Sequence, residues 1–188
     1  MNRKEFLHNI KAFLDENPVC VEAGVLDGDL SVEILDALNP QKLYLIDPWE
    51  VGGDKNDVPY YEDLNKQPTA YSNLTNFEKV KERFSNEISN GQVILKKGFS
   101  YDVVDFFPDN FFDFIYIDAC HLYGCVKADL EIFLPKLKSN GLMCGHDYNN
   151  QYIRFEGVDR AVDEFANNYD FRMIMLSEDS DWALKKLT

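Results

Sequence analysis

The sequence predicts an α/β protein built on a doubly wound, mostly parallel sheet of seven strands, with helices on both faces and an antiparallel last strand. Three observations carry this. Five short apolar runs of strand length alternate with segments whose apolar residues recur at helical spacing, the pattern of β-α units feeding a parallel sheet. The first run enters a turn holding Gly24 and Gly28, and the second ends at Asp47, roughly twenty residues on, as a doubly wound fold begins. The last two runs, 171–176 and 182–187, flank Ser177-Glu-Asp-Ser-Asp181 and read as a hairpin.

Phe6, Leu7, Ile10, Phe13 and Leu14 make the apolar face of a first helix, which Asn17-Pro18 ends because proline disfavours helical geometry in the residue before it. Val19-Cys-Val-Glu-Ala23 is the first strand. Leu30, Ile34, Leu35 and Leu38 share one face of the next helix, Asn39-Pro40 closes it, and Lys42-Leu-Tyr-Leu-Ile-Asp47 is the second strand. From about 50 to 72 the periodicity fails while Gly52, Gly53, Pro59, Tyr60, Tyr61, Pro68 and Tyr71 accumulate. A loop of this size is either a lid over a crevice or a surface insertion, and its tyrosines favour the lid. Phe77, Val80, Phe84 and Ile88 mark a third helix and Gln92-Val-Ile-Leu-Lys96 a third strand. Ser100 stands where it would cap a short helix bearing Val103, Val104 and Phe107. The central strand, Phe114-Ile-Tyr-Ile-Asp118, precedes a helix with Val126, Leu130, Phe133 and Leu137 on its buried face, ended by Asn140-Gly141. Gly141-Leu-Met-Cys-Gly145-His146-Asp147 is the fifth strand, and Val158, Ala161, Val162 and Phe165 define a helix over 157–169. With no repeat, low-complexity tract or linker, residues 1–188 read as one domain.

The charge balance narrows the partners. Nineteen Lys and Arg stand against 33 Asp and Glu, a formal charge of -14, which argues against a nucleic-acid backbone or an anionic membrane as the partner. No apolar run approaches transmembrane length, and the first 17 residues lack the apolar core of a signal peptide. Cys20, Cys120, Cys125 and Cys144 form no CxxC pair, so a reducing, cytoplasmic setting is the expectation.

Chemistry gathers at strand ends. The central strand stops at Asp118, with His121 three residues on, and the fifth strand stops at His146-Asp147, so two neighbouring strands aim four ionisable groups at one crevice. Taken singly, Asp118 could instead cap the following helix and His121 could be a solvated helix-start residue. The turn Glu22-Ala-Gly24-Val-Leu-Asp-Gly28 is G-x-x-x-G and lacks the third glycine of a dinucleotide fingerprint. That disfavours a pyrophosphate and suits a nucleoside-like ligand bearing positive charge, with Asp47 placed as an acceptor for ribose hydroxyls.

These stretches resemble the class I S-adenosylmethionine-dependent methyltransferases. Val21-Glu-Ala-Gly-Val-Leu-Asp-Gly28 is similar to that family's first motif and Leu45-Ile-Asp47 to its second. The stretches 113–123, 137–148 and 157–165 resemble the branch of macrocin-type sugar O-methyltransferases and, more distantly, catechol-type O-methyltransferases. The resemblance implies a Rossmann-like sheet and S-adenosylmethionine as cofactor. Glu22, Gly24 and Gly28 would contact its methionine and ribose parts, Asp47 the ribose hydroxyls, and Gly98, Phe99 and Ser100 the adenine region, with Asp118 both a cofactor-binding residue and, beside His121, a catalytic one. It further implies a divalent cation, magnesium or manganese, held by Asp118, His146 and Asp147, although His146 replaces an acidic residue of the branch's pattern. His121 occupies the position of a catalytic lysine in the catechol-type enzymes, where an imidazole could take the acceptor's proton. The resulting expectation is an O-methyltransferase of a small hydroxylated acceptor, such as a sugar or secondary metabolite, with a homodimer as its assembly. A non-catalytic binding protein of the same fold and a nicotinamide oxidoreductase are the rivals.

Overall fold

The structure, a computed structural model, describes residues 1–49, 74–150 and 156–187; the expected lid at 50–72 lies outside the described residues. Helix α1 (Arg3–Ile10) begins in a capping box, in which the Asn2 side chain accepts from the Glu5 N–H at 2.9 Å and the Glu5 carboxylate accepts from the Asn2 N–H at 3.1 Å. It is shorter than its sequence pattern, giving way to a 3-10 turn over Lys11–Phe13. Next come β1 (Val19–Ala23), α2 (Asp29–Leu38) and β2 (Lys42–Asp47), then α3 (Leu74–Arg83), α4 (Ser85–Ser89), β3 (Val93–Lys97) and α5 (Ser100–Val103). The chain continues through β4 (Phe112–Ile117), α6 (Tyr123–Phe133), β5 (Leu137–Gly145), α7 (Glu156–Asn168), β6 (Phe171–Leu176) and β7 (Trp182–Lys186).

The seven strands form one sheet in the order β3-β2-β1-β4-β5-β7-β6. The first five pair in parallel, and β7 runs antiparallel to both β5 and β6. Period-two alternation splits the core into two layers. Phe114, Tyr116, Leu43, Leu45 and Cys144 face α1, α2 and α3, whereas Ile115, Ile117, Val21, Met143 and Leu184 face the layer of α6 and α7. Burying side chains of this size contributes roughly 1.5–3 kcal/mol each.

Two predicted helices are corrected. The helix after the central strand ends at Phe133 rather than near Asn140, because Pro135 turns the chain into a 3-10 segment and Leu137 then pairs with Phe112 as the first residue of β5. The predicted 77–88 helix divides at Phe84, the non-helical residue between α3 and α4, whose ring lies beneath the Gly28 turn.

Register positions the site. Ala23 pairs with Ile46 and with Ile117, Ile117 with Gly145, and Gly145 with Trp182, so these residues form one row across five strands. The next residue outward on each strand is Asp47, Gly24, Asp118, His146 and, on the reversed β7, Asp181. Neighbouring strands lie about 4.8 Å apart, so this rim concentrates groups that are far apart in sequence. At Gly145 a Cβ would lie 2.5 Å from the Ile117 carbonyl oxygen and overlap the Trp182 ring, which restricts the position to glycine.

Candidate active site

The rim's β1–β2 side is a cradle built from backbone. Gly24 sits at φ +88°, where a Cβ would overlap the Asp118 carbonyl and lie 2.7 Å from the Ala119 Cα. The close approach that demands glycine here is made by the backbone at the end of β4. Leu26 and Trp49 also adopt positive φ, 56° and 42°, a costly geometry for bulky residues. Asp47 holds both: its carboxylate accepts from Val25 N–H at 2.9 Å, Leu26 N–H at 3.0 Å and Trp49 N–H at 2.7 Å, while the Trp49 indole donates to the Leu26 carbonyl at 3.0 Å. Asp47 is therefore first an anchor of the glycine turn, a task its strand-end position alone did not reveal. Beside it Glu22 is buried and accepts from the Ser31 hydroxyl at 2.5 Å. Burial pushes the Glu22 carboxyl well above the ordinary carboxylate range, against the opposing effect of Ser31, with the Asp118 and Asp47 charges pushing it further up.

The β4–β5 side is a cluster built from side chains. His121 Nε2 lies 2.9 Å from Asp147 Oδ2 and 3.5 Å from Asp118 Oδ1. The three residues offer ligand atoms within 4.8 Å of one another, a grouping that could hold a metal ion. His146 stands next to this grouping in a second role. Its Nε2 donates to the Asp179 carbonyl at 2.6 Å, which leaves Nδ1 facing Asp147 Oδ1 at 3.4 Å and Asp118 Oδ2 at 3.9 Å. Asn150 donates to Asp147 Oδ1 at 2.7 Å, and Asp147 itself has φ 63°, so hydrogen bonds hold this carboxylate in a strained backbone position. Burial works to lower the His121 pKa, but the bonds and charges of Asp118 and Asp147 prevail and raise it to about 10. Burial likewise disfavours an ionised Asp147, yet His121 and His146 hold its carboxyl well below the usual range. The His146 pKa is raised too, with burial opposing Asp147 and Asp118.

Of the residues the sequence singled out, Glu22, Gly24, Asp47, Asp118, His121, His146 and Asp147 converge on this strand-end rim. The close ligand-bearing set is Asp118, Asp147 and His121, with His146 turned toward Asp179, where the sequence grouped His146 with the two aspartates. Gly28 closes the turn at φ +84° over Phe84, where a Cβ would be 2.7 Å from the ring. Gly98 and Phe99 follow β3, and Phe99 stacks on Tyr101 with ring centres 5.4 Å apart. Ser100 is the first residue of α5 rather than its cap: its hydroxyl bonds Asp129, whose pKa burial raises to about 7 against that hydrogen bond. Sequence reasoning missed Arg3, Tyr116 and Asp181, which join across the whole chain length without any spacing pattern. It also missed Asn150, which a wider reading of the His146-to-Asn150 stretch would have included.

Solved structures share this architecture. The O-methyltransferase NovP matches with a TM-score of 0.73 at 20% identity over 99% of this chain and 80% of that one. An O-methyltransferase from Bacillus cereus in complex with SAH gives 0.65 at 14% identity over 98% and 80%. The SAH-bound methyltransferase PaMTH1 of Podospora anserina gives 0.64 at 13% over 100% and 80%. The fold is thus that of the Rossmann-like methyltransferases. The sequence supplies the family: the profile described as "Methyltransferase domain" matches residues 21–148, and the chain belongs to that family. A curated relative, the uncharacterized protein y4gI of Sinorhizobium fredii, is 29% identical over 128 residues, which are 68% of this chain and 11% of that protein. The chain thus spans only a small part of that relative's length. Among the described residues no helix is long and apolar enough to cross a membrane.

Proposed function

We propose that the protein transfers the methyl group of S-adenosylmethionine to the oxygen of a small hydroxylated acceptor, such as a sugar or secondary metabolite. The observation that carries this reading is the rim, where the glycine cradle and the His121–Asp118–Asp147 cluster meet at the backbone contact between Gly24 and Asp118. The fold's relatives crystallised with SAH support the cofactor, and the acidic rim of Asp47, Asp118 and Asp147 favours a cationic sulfonium.

In the transfer, the sulfur–methyl bond breaks as the oxygen–methyl bond forms, leaving S-adenosylhomocysteine and a methyl ether. The acceptor's proton goes to the His121 imidazole, whose Nε2 faces Asp147 at 2.9 Å, and that carboxylate orients the ring and stabilises its charged form. A base must be unprotonated to act, and the raised His121 pKa makes this the controlling equilibrium at neutral pH. The donor set fits a divalent cation, its mixture of two carboxylates and an imidazole suiting manganese better than magnesium, which prefers oxygen throughout. Held by Asp118, Asp147 and His121, such an ion would take the place of the imidazole's proton, make His121 a ligand instead of the base, and supply positive charge to the acceptor oxygen.

Thermal-shift and calorimetric titrations test the cofactor: S-adenosylmethionine and S-adenosylhomocysteine should stabilise the protein and NAD should not. Stabilisation by NAD alone would overturn the reading. Labelled methyl transfer to a panel of hydroxylated acceptors tests the chemistry, and turnover in chelator should rise with pH toward the His121 value of about 10.

A further inference from the structure

We propose that Arg3, on the first turn of α1 and outside the matched 21–148 segment, receives the carboxylate of the cofactor's amino-acid end. The inference rests on the S-adenosylmethionine reading above and adds to it a residue that fixes which adenosyl thioethers bind.

One side of the guanidinium is fixed. Arg3 Nε donates to Asp181 Oδ1 at 2.8 Å, and the Arg3 backbone N–H donates to Asp179 Oδ2 at 2.8 Å. Asp181 is fully buried; its Oδ1 also accepts from the Tyr116 hydroxyl, and its Oδ2 from the Ser177 hydroxyl at 2.5 Å. Among the described residues, neither terminal nitrogen of Arg3 has a hydrogen-bond partner, and the side chain remains one-quarter exposed. An arginine bound through Nε keeps its end-on pair of N–H groups, whose spacing matches the two oxygens of a carboxylate.

Register places that fork beside the cradle. Tyr116 on β4 pairs with Glu22 on β1, so the Tyr116–Asp181–Arg3 chain rises on the α1 and α2 face, beneath the rim positions Gly24 and Asp118. The Arg3 charge is felt at Glu22, Asp118 and His146. Glu22, Asp47, Asp118, Asp147 and Asp181 make this end of the sheet acidic, a setting that would repel a bare carboxylate. Arg3 is a permanent cation within it, whereas His121 and His146 are engaged by the cluster.

Comparing S-adenosylhomocysteine with 5′-methylthioadenosine, which lacks the amino-acid carboxylate, isolates the contact. Wild-type protein should bind both by calorimetry. Arg3→Gln should weaken S-adenosylhomocysteine about tenfold or more, roughly 1.4 kcal/mol, and leave 5′-methylthioadenosine within about twofold. Arg3→Lys keeps a positive charge beside Asp181 but loses the fork, and should show the same selective loss at smaller size, which keeps the comparison open if the glutamine variant folds poorly. Equal weakening of both ligands in Arg3→Lys would make Arg3 a purely structural partner of Asp181 and overturn the proposal, as would unchanged affinity for both. Wild-type protein that binds neither ligand overturns the cofactor reading instead.

Discussion

The cradle at the ends of β1 and β2 and the cluster at the ends of β4 and β5 occupy the same rim but are held by opposite means. In the cradle one carboxylate, Asp47, is saturated by three backbone donors, and two bulky residues at positive φ are tied down around it. In the cluster two carboxylates and two imidazoles lie against one another, and these contacts raise the pKa values of His121 and His146 and lower that of Asp147. The cradle spends its polar groups on shape, which costs little to maintain once formed and gives a ligand a fixed surface. The cluster keeps its polar groups reactive, so protons or a cation can redistribute there without moving the backbone. Substitutions should therefore unfold the first and retune the second.

The largest effect should come from Gly24→Ala, since the new Cβ overlaps the Asp118 carbonyl at a φ of +88° and pushes the two regions apart. We expect a loss of about 3 kcal/mol or more, read as a lowered urea midpoint. Gly124→Ala is the control: a Cβ there meets nothing within 4 Å on helix α6, and the change should be neutral or stabilise by up to ~1 kcal/mol. Next comes Asp47→Ala, which orphans the N–H groups of Val25, Leu26 and Trp49. Hydrogen bonds to a charged group contribute about 1.5–3 kcal/mol each and do not add fully, so a loss of ~3 kcal/mol is expected together with weakened cofactor binding. An Asp47→Ala protein with wild-type stability and lost affinity would mean that ribose contact, not loop support, is its main task.

Local sequence signals carried much of this. Alternating apolar runs marked all seven strands, and strand-end residues marked Asp47, Asp118, His121, His146 and Asp147, because a parallel sheet forces its carboxyl ends onto one edge. What stayed hidden depended on register between distant strands. That β7 lies between β5 and β6 brings Asp181 to the rim, and neither that order nor the Arg3–Asp181 pair leaves a periodic trace in the chain. The role of Gly24 was half legible: a glycine turn was evident, but the neighbour that demands it is on another strand. The partition of the two histidines, His121 into the cluster and His146 toward Asp179, follows from side-chain geometry that spacing cannot express. The early end of α6 was legible in Pro135, but the apolar Leu137 fits a helix face as well as a strand start.

The smallest change should be the most diagnostic of the cluster. Asp147→Asn removes the charge that both raises His121 and binds it at 2.9 Å, while Asp118 and the backbone remain. In the wild type, His121 has its pKa raised from 6.5 to about 10, so its contribution to stability is full below about 6.5 and is lost as pH rises toward 10. Asp147 is shifted the other way, so the contribution from the same bond is full above its ordinary 3.8 and is lost as pH falls below that. The pair is thus complete between roughly pH 4 and 6.5. Wild type should exceed Asp147→Asn by ~1 kcal/mol there, and the difference should shrink steadily as the pH is raised toward 10. Denaturant unfolding at pH 6, 8 and 9.5 reads this directly, with imidazole proton shifts reporting whether His121 itself titrates lower in the variant. A difference that stays constant over that range would mean Asp147 stabilises through Asn150 and its backbone rather than through His121, and the cluster would then resemble the cradle after all.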